Sequence, residues 1–292
     1  MRLKKGLMIS AMAAVAVLGL SACTDSEAPT AEPEVQEEAE FEAGTTMAEL
    51  NEAGEITIGT KFDQPLFGLV GPDNEPVGFD VEIGKIIAAE LGITPEDINW
   101  VEAISANREP FIQNGEVDLV VATYTINDTR KEVVAFAGPY YIAGQDLLVA
   151  ADNPDGIEGP EYFTENPDAV VCTVSGSTSE KNIREYTDNV IAANGYSDCL
   201  EPLRTGAAAA VTTDNVILAG LADQSDGEFE VVNNAFTEEP YGIGVALEDT
   251  EFRDFVNDTL EAAFEDGRWV DAWEATAGVV LDTPEPPTVD RY

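Results

Sequence analysis

The sequence lacks histidine altogether, and only 14 of its 292 residues are lysine or arginine, against 57 aspartates and glutamates. Without histidine the chain cannot form Ser-His or Cys-His nucleophile pairs, or zinc sites with imidazole ligands. A formal net charge of −43 repels a phosphate backbone, which argues against nucleic acid as a partner. Hydrophobic residues still make up 44%, so a globular core can form. We expect no metal and no cofactor.

Residues 1–22 have the pattern of an export signal and are set aside from the fold. Three cations within residues 2–5 precede an apolar run from Leu7 to Leu20, which is shorter than the about 20 residues of a bilayer span. Leu20-Ser21-Ala22-Cys23 resembles the bacterial lipobox. That resemblance implies cleavage before Cys23, acyl chains such as palmitate on the new terminus, and a protein anchored outside the cell membrane. A plain secretory signal is the alternative.

The two ends of the mature chain are predicted to be loose. Residues 23–44 hold eight acidic residues, no basic one and almost no large apolar side chains, which predicts a disordered stalk. The functional alternative for this stretch is an acidic tail that binds a partner. Residues 283–292, with three prolines, are predicted to be a flexible tail.

Between residues 45 and 282, short strand-like runs alternate with helical patterns. Ile56 to Thr60 and Asp118 to Thr125 are predicted strands, and apolar residues from Phe79 to Leu91 recur at helical spacing before the stop at Gly92. Further predicted elements are strands at Val170–Val174 and Ala208–Thr212 and a helix over Phe252–Phe264. This alternation indicates an α/β fold with mainly parallel sheets.

Two stretches are predicted to cross between lobes. Gln145 to Ala151 leaves the first α/β unit, and Tyr241 to Leu247 returns to it. The predicted limits are residues 45–147 for the first part of lobe 1, 148–239 for lobe 2 and 240–282 for the return to lobe 1. A two-strand hinge of this kind places a ligand cleft between the lobes and allows the cleft to close.

Gly78-Phe79-Asp80-Val81-Glu82-Ile83 resembles the signature of the extracellular solute-binding proteins of family 3, and the resemblance continues through separate blocks over residues 46–281. It implies a two-lobed periplasmic-binding-protein fold of type II. It also implies a monomeric receptor, not an enzyme, that captures a polar amino acid and docks on the permease of an ABC importer.

The block Asp118 to Arg130 resembles the family's site for the ligand's α-amino and α-carboxylate groups. The resemblance assigns these contacts to Thr123, Thr125 and Arg130, and a planar guanidinium suits a carboxylate removed from water. Alternatively, Arg130 pairs with Asp128 at the surface. Ala122 departs from many relatives, which carry a hydroxyl there.

Two blocks of the second lobe complete this resemblance. Ser177 and Thr178, after a glycine turn and before a helix, are expected to close on the α-carboxylate, and Asp214 to accept from the ammonium group. The alternatives are structural, because Ser177 or Asp214 could cap the helix that follows it.

Specificity is predicted from two further segments. Asn107-Arg108 resembles the block that relatives selective for acidic amino acids use, and Thr60 to Pro65 resembles a loop of actinobacterial glutamate-binding lipoproteins. Arg108 and Lys61 would meet a second carboxylate, and Phe62 would form an apolar wall. The resemblance ranks glutamate first, aspartate second and glutamine third. Alternatively, Lys61 and Arg108 form ordinary surface ion pairs.

Cys172 and Cys199 remain after Cys23 is set aside. An even number of cysteines in an exported protein predicts a disulfide, with two buried free thiols as the alternative. Two other functions stay open: an exported prephenate or arogenate dehydratase with a cleft carboxylic acid as general acid, and a sensor domain acting through a membrane partner. The acidity itself is typical of proteins that work in concentrated salt.

Overall fold

The computed structural model describes residues 33–36, 39–71 and 74–292. The predicted signal peptide, residues 1–22, and the predicted lipid-attachment residue Cys23 lie outside the described residues.

Two five-stranded mixed sheets form the framework. The first sheet has the order β5 (Ile98–Glu102), β1 (Ile56–Thr60), β6 (Leu119–Val120), β13 (Glu239–Val245) and β7 (Ala135–Ala143). Strands β5, β1 and β6 pair in parallel, and β13 is antiparallel to both of its neighbours, β6 and β7. The second sheet has the order β10 (Val190–Ala193), β9 (Val171–Val174), β11 (Ala210–Asp214), β8 (Gln145–Ala150) and β12 (Phe229–Val231). We call the units built on them the first and second lobes.

A small antiparallel sheet projects from the first lobe, and helices cover both large sheets. The small sheet comprises β2 (Asp63–Gln64), β3 (Gly68–Val70) and β4 (Pro76–Val77). The α-helices of the described residues are α1 (Thr46–Ala53), α2 (Phe79–Glu90), α3 (Arg108–Asn114), α4 (Asp128–Lys131), α5 (Glu161–Glu165), α6 (Thr178–Ile183), α7 (Leu200–Arg204), α8 (Asn215–Asp223), α9 (Thr250–Asp266) and α10 (Arg268–Ala275). Four 3₁₀ turns lie at Pro95–Asp97, Ser105–Asn107, Ser197–Cys199 and Ala277–Val279.

The chain crosses between the lobes twice. Strand β7 belongs to the first sheet and β8, which follows after Gly144, to the second; the chain returns between β12 and β13. These two crossings form a hinge beside the cleft. The lobe limits at residues 147/148 and 239/240 stay predictions, since the strands fix only where each sheet begins.

Aromatic side chains fill the core of the first lobe next to the hinge strands. Phe67, Phe79 and Trp273 are fully buried and meet edge to face, with ring centroids 5.1 Å apart for Phe79 and Trp273. Tyr140 on β7 and Tyr241 on β13 close this cluster on the cleft side. Such interlocked rings hold the hinge strands rigidly at their first-lobe ends.

A disulfide joins Cys172 on β9 to Cys199 just before α7, as predicted. Their Cα atoms are 5.5 Å apart and 27 residues separate them in the chain. Closing a loop of this length is worth about 3.5 kcal/mol of stability in the chain-entropy relation. The link fixes α7 and the turn before it against the second sheet.

The predicted strand over residues 118–125 is wrong beyond its first part. Only Leu119–Val120 is strand, because the chain then turns, and Thr123 adopts a φ of 44°. The Thr123 N–H donates to the Asp80 carboxylate at 2.8 Å, which holds this unfavourable conformation. The carboxyl-terminal part of the predicted strand is therefore a loop at the cleft.

The described parts of the two end segments lie against the first lobe, unlike the predicted loose ends. In the segment 23–44, Gln36 N–H donates to Ala89 O at 3.0 Å and Phe41 packs edge-on against Phe255. In the tail, the Tyr292 hydroxyl accepts from Phe136 N–H at 2.8 Å. Single aromatic side chains anchor segments whose average composition favours disorder.

Candidate functional site

Two cations predicted to set specificity are buried side by side in the first lobe. Lys61 follows β1 and is 2% exposed; its Nζ donates to Ser105 Oγ at 3.0 Å. Arg108 opens α3 and is 3% exposed; its Nη1 donates to Ala122 O at 3.0 Å and to Thr123 O at 3.2 Å. The alternative that they form surface ion pairs is wrong.

Burial and the proximity of other cations lower the pKa values of both side chains. Burial, and then repulsion from Arg108, lowers the pKa of Lys61 from 10.5 to about 7, although Asp63 and Asp80 oppose this change. Burial and Arg130 lower the pKa of Arg108 to about 10, so it stays charged at neutral pH. Bringing an anion here would relieve the repulsion.

Arg130, on α4, reaches from the first lobe to the second. Its Nε pairs with Glu109 at 3.0 Å, its Nη1 donates to Thr125 O at 2.7 Å, and its Nη2 makes a long 3.5 Å contact with Gly176 O. Arg108 and Arg130 both lie over the ring of Tyr124, at 4.3 and 4.9 Å from its centroid. The alternative, a surface pair of Arg130 with Asp128, is wrong, because Arg130 is buried and pairs with Glu109.

The lobes touch at the predicted ligand residues. Thr125 Oγ1 lies 3.4 Å from Thr178 Oγ1 across the cleft. Gly176 has a φ of 76°, and a Cβ there would lie 3.0 Å from Ala106 Cα in the first lobe. Only glycine permits both the turn and this approach. The cleft is therefore closed, and Thr125, Arg130 and Thr178 face one another within it.

Asp214, at the end of β11, presents a free carboxylate oxygen. Its Oδ2 accepts from the Tyr241 hydroxyl at 2.6 Å, while its buried Oδ1 has no hydrogen-bond partner among the described residues. Its side chain does not cap α8, which excludes the structural alternative. Burial, followed by repulsion from Glu239, raises the pKa of Asp214 to about 7, and Arg108 and Arg130 oppose this rise.

Two predicted ligand hydroxyls are already occupied. Ser177 Oγ donates to Val174 O at 2.6 Å and accepts from Glu180 N–H at 2.9 Å, so it caps α6. Thr123 Oγ1 lies 2.9 Å from both Gln64 Oε1 and Ala122 O. The backbone N–H and C=O of Thr123 are also bonded, to Asp80 and Arg108, so a direct contact of either residue with a ligand stays a prediction.

Phe62 lies apart from the other predicted residues. It lines a separate pocket of about 350 Å³ between the small sheet and the second lobe, together with Leu200, Arg204 and Leu221. None of the other eight predicted ligand residues lines that pocket. Its role as an apolar wall of the amino-acid site stays a prediction.

Sequence reasoning missed the groups that hold the charged residues in place. Asp80 accepts from Tyr140 OH at 2.6 Å and from Thr123 N–H, and burial raises its pKa to about 7. In the same way, the Tyr241 hydroxyl donates to the Asp214 carboxylate and holds it in place. Asp80 stands within the Gly78–Ile83 motif and could have been found there; no local pattern marks the two tyrosines.

Comparison with known proteins identifies the family to which this chain belongs. Residues 56–274 match the family described as bacterial extracellular solute-binding proteins, family 3. The chain belongs to this family. It is 40% identical over 266 residues to the glutamate-binding protein GluB of Corynebacterium efficiens, covering 87% of this chain and 84% of the relative. It is 34% identical to a glutamine-binding protein of Geobacillus stearothermophilus, covering 83% of this chain and 92% of that one.

A solved structure supports the fold. The crystal structure of the ancestral amino acid-binding protein AncCDT-1, a precursor of cyclohexadienyl dehydratase, superposes with a TM-score of 0.72 at 29% identity, over 79% of this chain and 98% of that one. The two-lobed periplasmic-binding-protein fold is thus confirmed. The family is one of extracellular solute-binding proteins, the two relatives named above are binding proteins for glutamate and glutamine, and this solute-binding protein is an amino-acid receptor.

In the described part of this solute-binding protein, no helix is both long and apolar enough to cross a membrane.

A further hydrogen bond between the lobes, which we call the latch, holds the cleft of this solute-binding protein closed. Asp63 on β2 accepts from the backbone N–H of Tyr196 in the second lobe, with Oδ2 at 2.7 Å. The approach depends on Gly195, because a Cβ there would lie 2.6 Å from the same oxygen. The disulfide at Cys199 fixes the turn that carries both second-lobe residues. The latch therefore joins two rigid parts.

We expect Asp63→Ala and Gly195→Ala each to lower affinity about tenfold, since each removes a hydrogen bond to a charged acceptor that exists only when the lobes close. Gly195→Ala should weaken all ligands equally, because Gly195 is not among the residues predicted to touch ligand. Asp63→Ala should weaken glutamate somewhat more than glutamine, because it also removes a carboxylate that raises the pKa of Lys61. Isothermal titration calorimetry on the single and double variants tests this, with exposed Asn194→Ala as control. Fully additive losses in the double variant would contradict a shared latch.

Proposed function

We propose that this protein captures an acidic amino acid, glutamate first and aspartate second, by closing its two lobes, and delivers it to the permease of an ABC importer. Relatives named for glutamate and for glutamine are both similar to this chain. They share the amino-acid end of the ligand, so the choice depends on the groups that meet the side chain.

The observation that carries the proposal is the buried pair Lys61 and Arg108 beside Arg130. One cation suffices for the α-carboxylate of any amino acid, and Arg130 at the lobe junction is suited to it. Lys61 and Arg108 are then left without a carboxylate partner within 4 Å among the described residues. A second carboxylate on the ligand would neutralise this excess charge, whereas a neutral amide would not.

The ammonium group has a matching acceptor. Among the described residues, the buried Asp214 Oδ1 has no hydrogen-bond partner, and its other oxygen accepts from Tyr241 OH, which fixes the orientation of the carboxylate. A buried carboxylate oxygen without a donor is unfavourable, and a ligand ammonium would supply one. Arg130 and Asp214 thus offer opposite charges to the two ends of a zwitterion.

The test is the affinity of the chain lacking residues 1–23 for glutamate, aspartate and glutamine. Glutamate should bind at least tenfold more tightly than glutamine, and at a hundredfold excess over Kd it should raise Tm by about 5–10 °C. Lys61→Met should weaken glutamate about 30-fold or more and glutamine little, because it removes a partner of the second carboxylate. Exposed Lys181→Met is the control. Tighter binding of glutamine would reject the acidic ligand.

The pKa values near 7 predict different pH profiles for the two ligands. A ligand carboxylate favours charged Lys61, so glutamate affinity should fall as pH rises above about 7. A ligand ammonium needs ionised Asp214, so affinity for either ligand should fall as pH drops below about 7. The pKa of Asp80 is also raised to about 7, but both of its carboxylate oxygens already accept from Tyr140 and Thr123, so we expect the same contribution for both ligands.

We expect a bell-shaped profile of log affinity against pH for glutamate and only the acidic limb for glutamine, measured by calorimetry between pH 5.5 and 9. Lys61→Met should remove the alkaline limb for glutamate. Identical profiles for the two ligands above pH 7 would show that Lys61 does not meet the ligand side chain.

We also propose that acyl chains on Cys23 tether the receptor outside the membrane, on the strength of the Leu20–Cys23 motif alone. Cys23→Ser in the full-length chain should move the protein from the membrane fraction to the soluble exported fraction. Ser26→Ala serves as the control. Retention of Cys23→Ser in washed membranes would point to an anchor other than a lipid on this thiol.

A further inference from the structure

Gln64 is a buried polar residue that neither the family signature nor the charge pattern singles out. It lies on β2, where it pairs with Gly68 of β3, and its side chain is completely buried, at 0% exposed. The residue before it, Asp63, forms the latch to the second lobe. Gln64 therefore belongs to the short segment that both closes the cleft and follows Lys61.

Only one of the two polar atoms of the Gln64 carboxamide has a hydrogen-bond partner among the described residues. Its Oε1 accepts from Thr123 Oγ1 at 2.9 Å, while its Nε2 is buried without a hydrogen-bond partner among the described residues. An NH₂ group carries two donors, and leaving both unpaired away from water is unfavourable. No acceptor of the described part of the chain therefore lies within hydrogen-bond distance of this NH₂ group.

The anchor of Gln64 is the same turn that holds Arg108. Thr123 offers its hydroxyl to Gln64 and its carbonyl oxygen to Arg108 Nη1, at 3.2 Å. Its N–H is bound by Asp80, which also faces Lys61. A free amide donor thus belongs to the same bonded cluster as two buried cations, and an anion is the partner that all three share.

We propose that Gln64 determines specificity: its Nε2 donates to the side-chain carboxylate of the bound acidic amino acid, next to Lys61 and Arg108. This rests on the proposed function. The two cations attract the ligand carboxylate without fixing its position. The amide, held by Thr123, would make a directional hydrogen bond that fixes where one carboxylate oxygen lies. The amide also helps to distinguish glutamate from glutamine, because a hydrogen bond to a charged carboxylate is stronger than one to a neutral amide carbonyl.

The experiment measures glutamate and glutamine affinity by calorimetry for wild type, Gln64→Met and Gln64→Glu. Gln64→Met keeps the length and removes both donors, so glutamate should weaken about 10–30-fold and glutamine no more than about threefold. Gln64→Glu places a carboxylate against the ligand's, so glutamate should weaken more than 100-fold while glutamine is largely retained. Exposed Gln113→Met is the matched control, and Tm without ligand shows whether each variant folds.

Equal losses for both ligands would assign Gln64 a structural role and overturn the proposal, as would unchanged affinities. A larger loss for glutamine in Gln64→Met would mean that the carbonyl oxygen faces the ligand, which also overturns it. The wild-type titration reports separately on the proposed function: if wild type does not bind glutamate, both fall, whereas normal wild-type binding with an insensitive Gln64→Met removes only the inference about Gln64.

Discussion

The burial of Lys61, Arg108 and Arg130 close together is the constraint that shapes the rest of the cleft. Removing like charges from water is strongly unfavourable unless nearby groups compensate. Here the compensation is mostly neutral: the Ser105 hydroxyl, the carbonyls of residues 122, 123 and 125, and the ring face of Tyr124. Neutral partners do not cancel the positive charge, so the cleft keeps a net positive charge that can attract an anionic ligand.

Of the nearby carboxylates, Glu109 pairs with Arg130 at 3.0 Å, whereas the buried Asp80 and Asp214 form no ion pair with Lys61 or Arg108. Asp80 and Asp214 are each held by a tyrosine hydroxyl at 2.6 Å, from Tyr140 on β7 and Tyr241 on β13. These strands are neighbours in the first sheet and carry the two crossings to the second lobe. The two strands that carry the crossings therefore also orient the two acidic groups of the cleft.

Periodicity predicted the α/β alternation and the helix at Phe79, because these depend on local pattern. The assignment of Lys61, Arg108, Arg130 and Asp214 to one cleft came from the family resemblance instead. What they missed depends on long-range contact. Thr123 turns away from strand geometry because Asp80, 43 residues earlier, binds its N–H. Tyr292 fixes the tail through a backbone group 156 residues away. Ser177 illustrates a different limit, since a cap and a ligand contact require the same residue type at the same place.

The overall charge and the charge of the cleft act on different steps of binding. A net charge of −43 opposes an approaching anion, but at physiological salt this field is screened beyond about 8 Å and affects mainly the rate of encounter. The cations of the cleft are buried, so salt screens them far less once the lobes have closed. An acidic protein can therefore hold an acidic ligand, because the repulsion acts through solvent and the attraction does not.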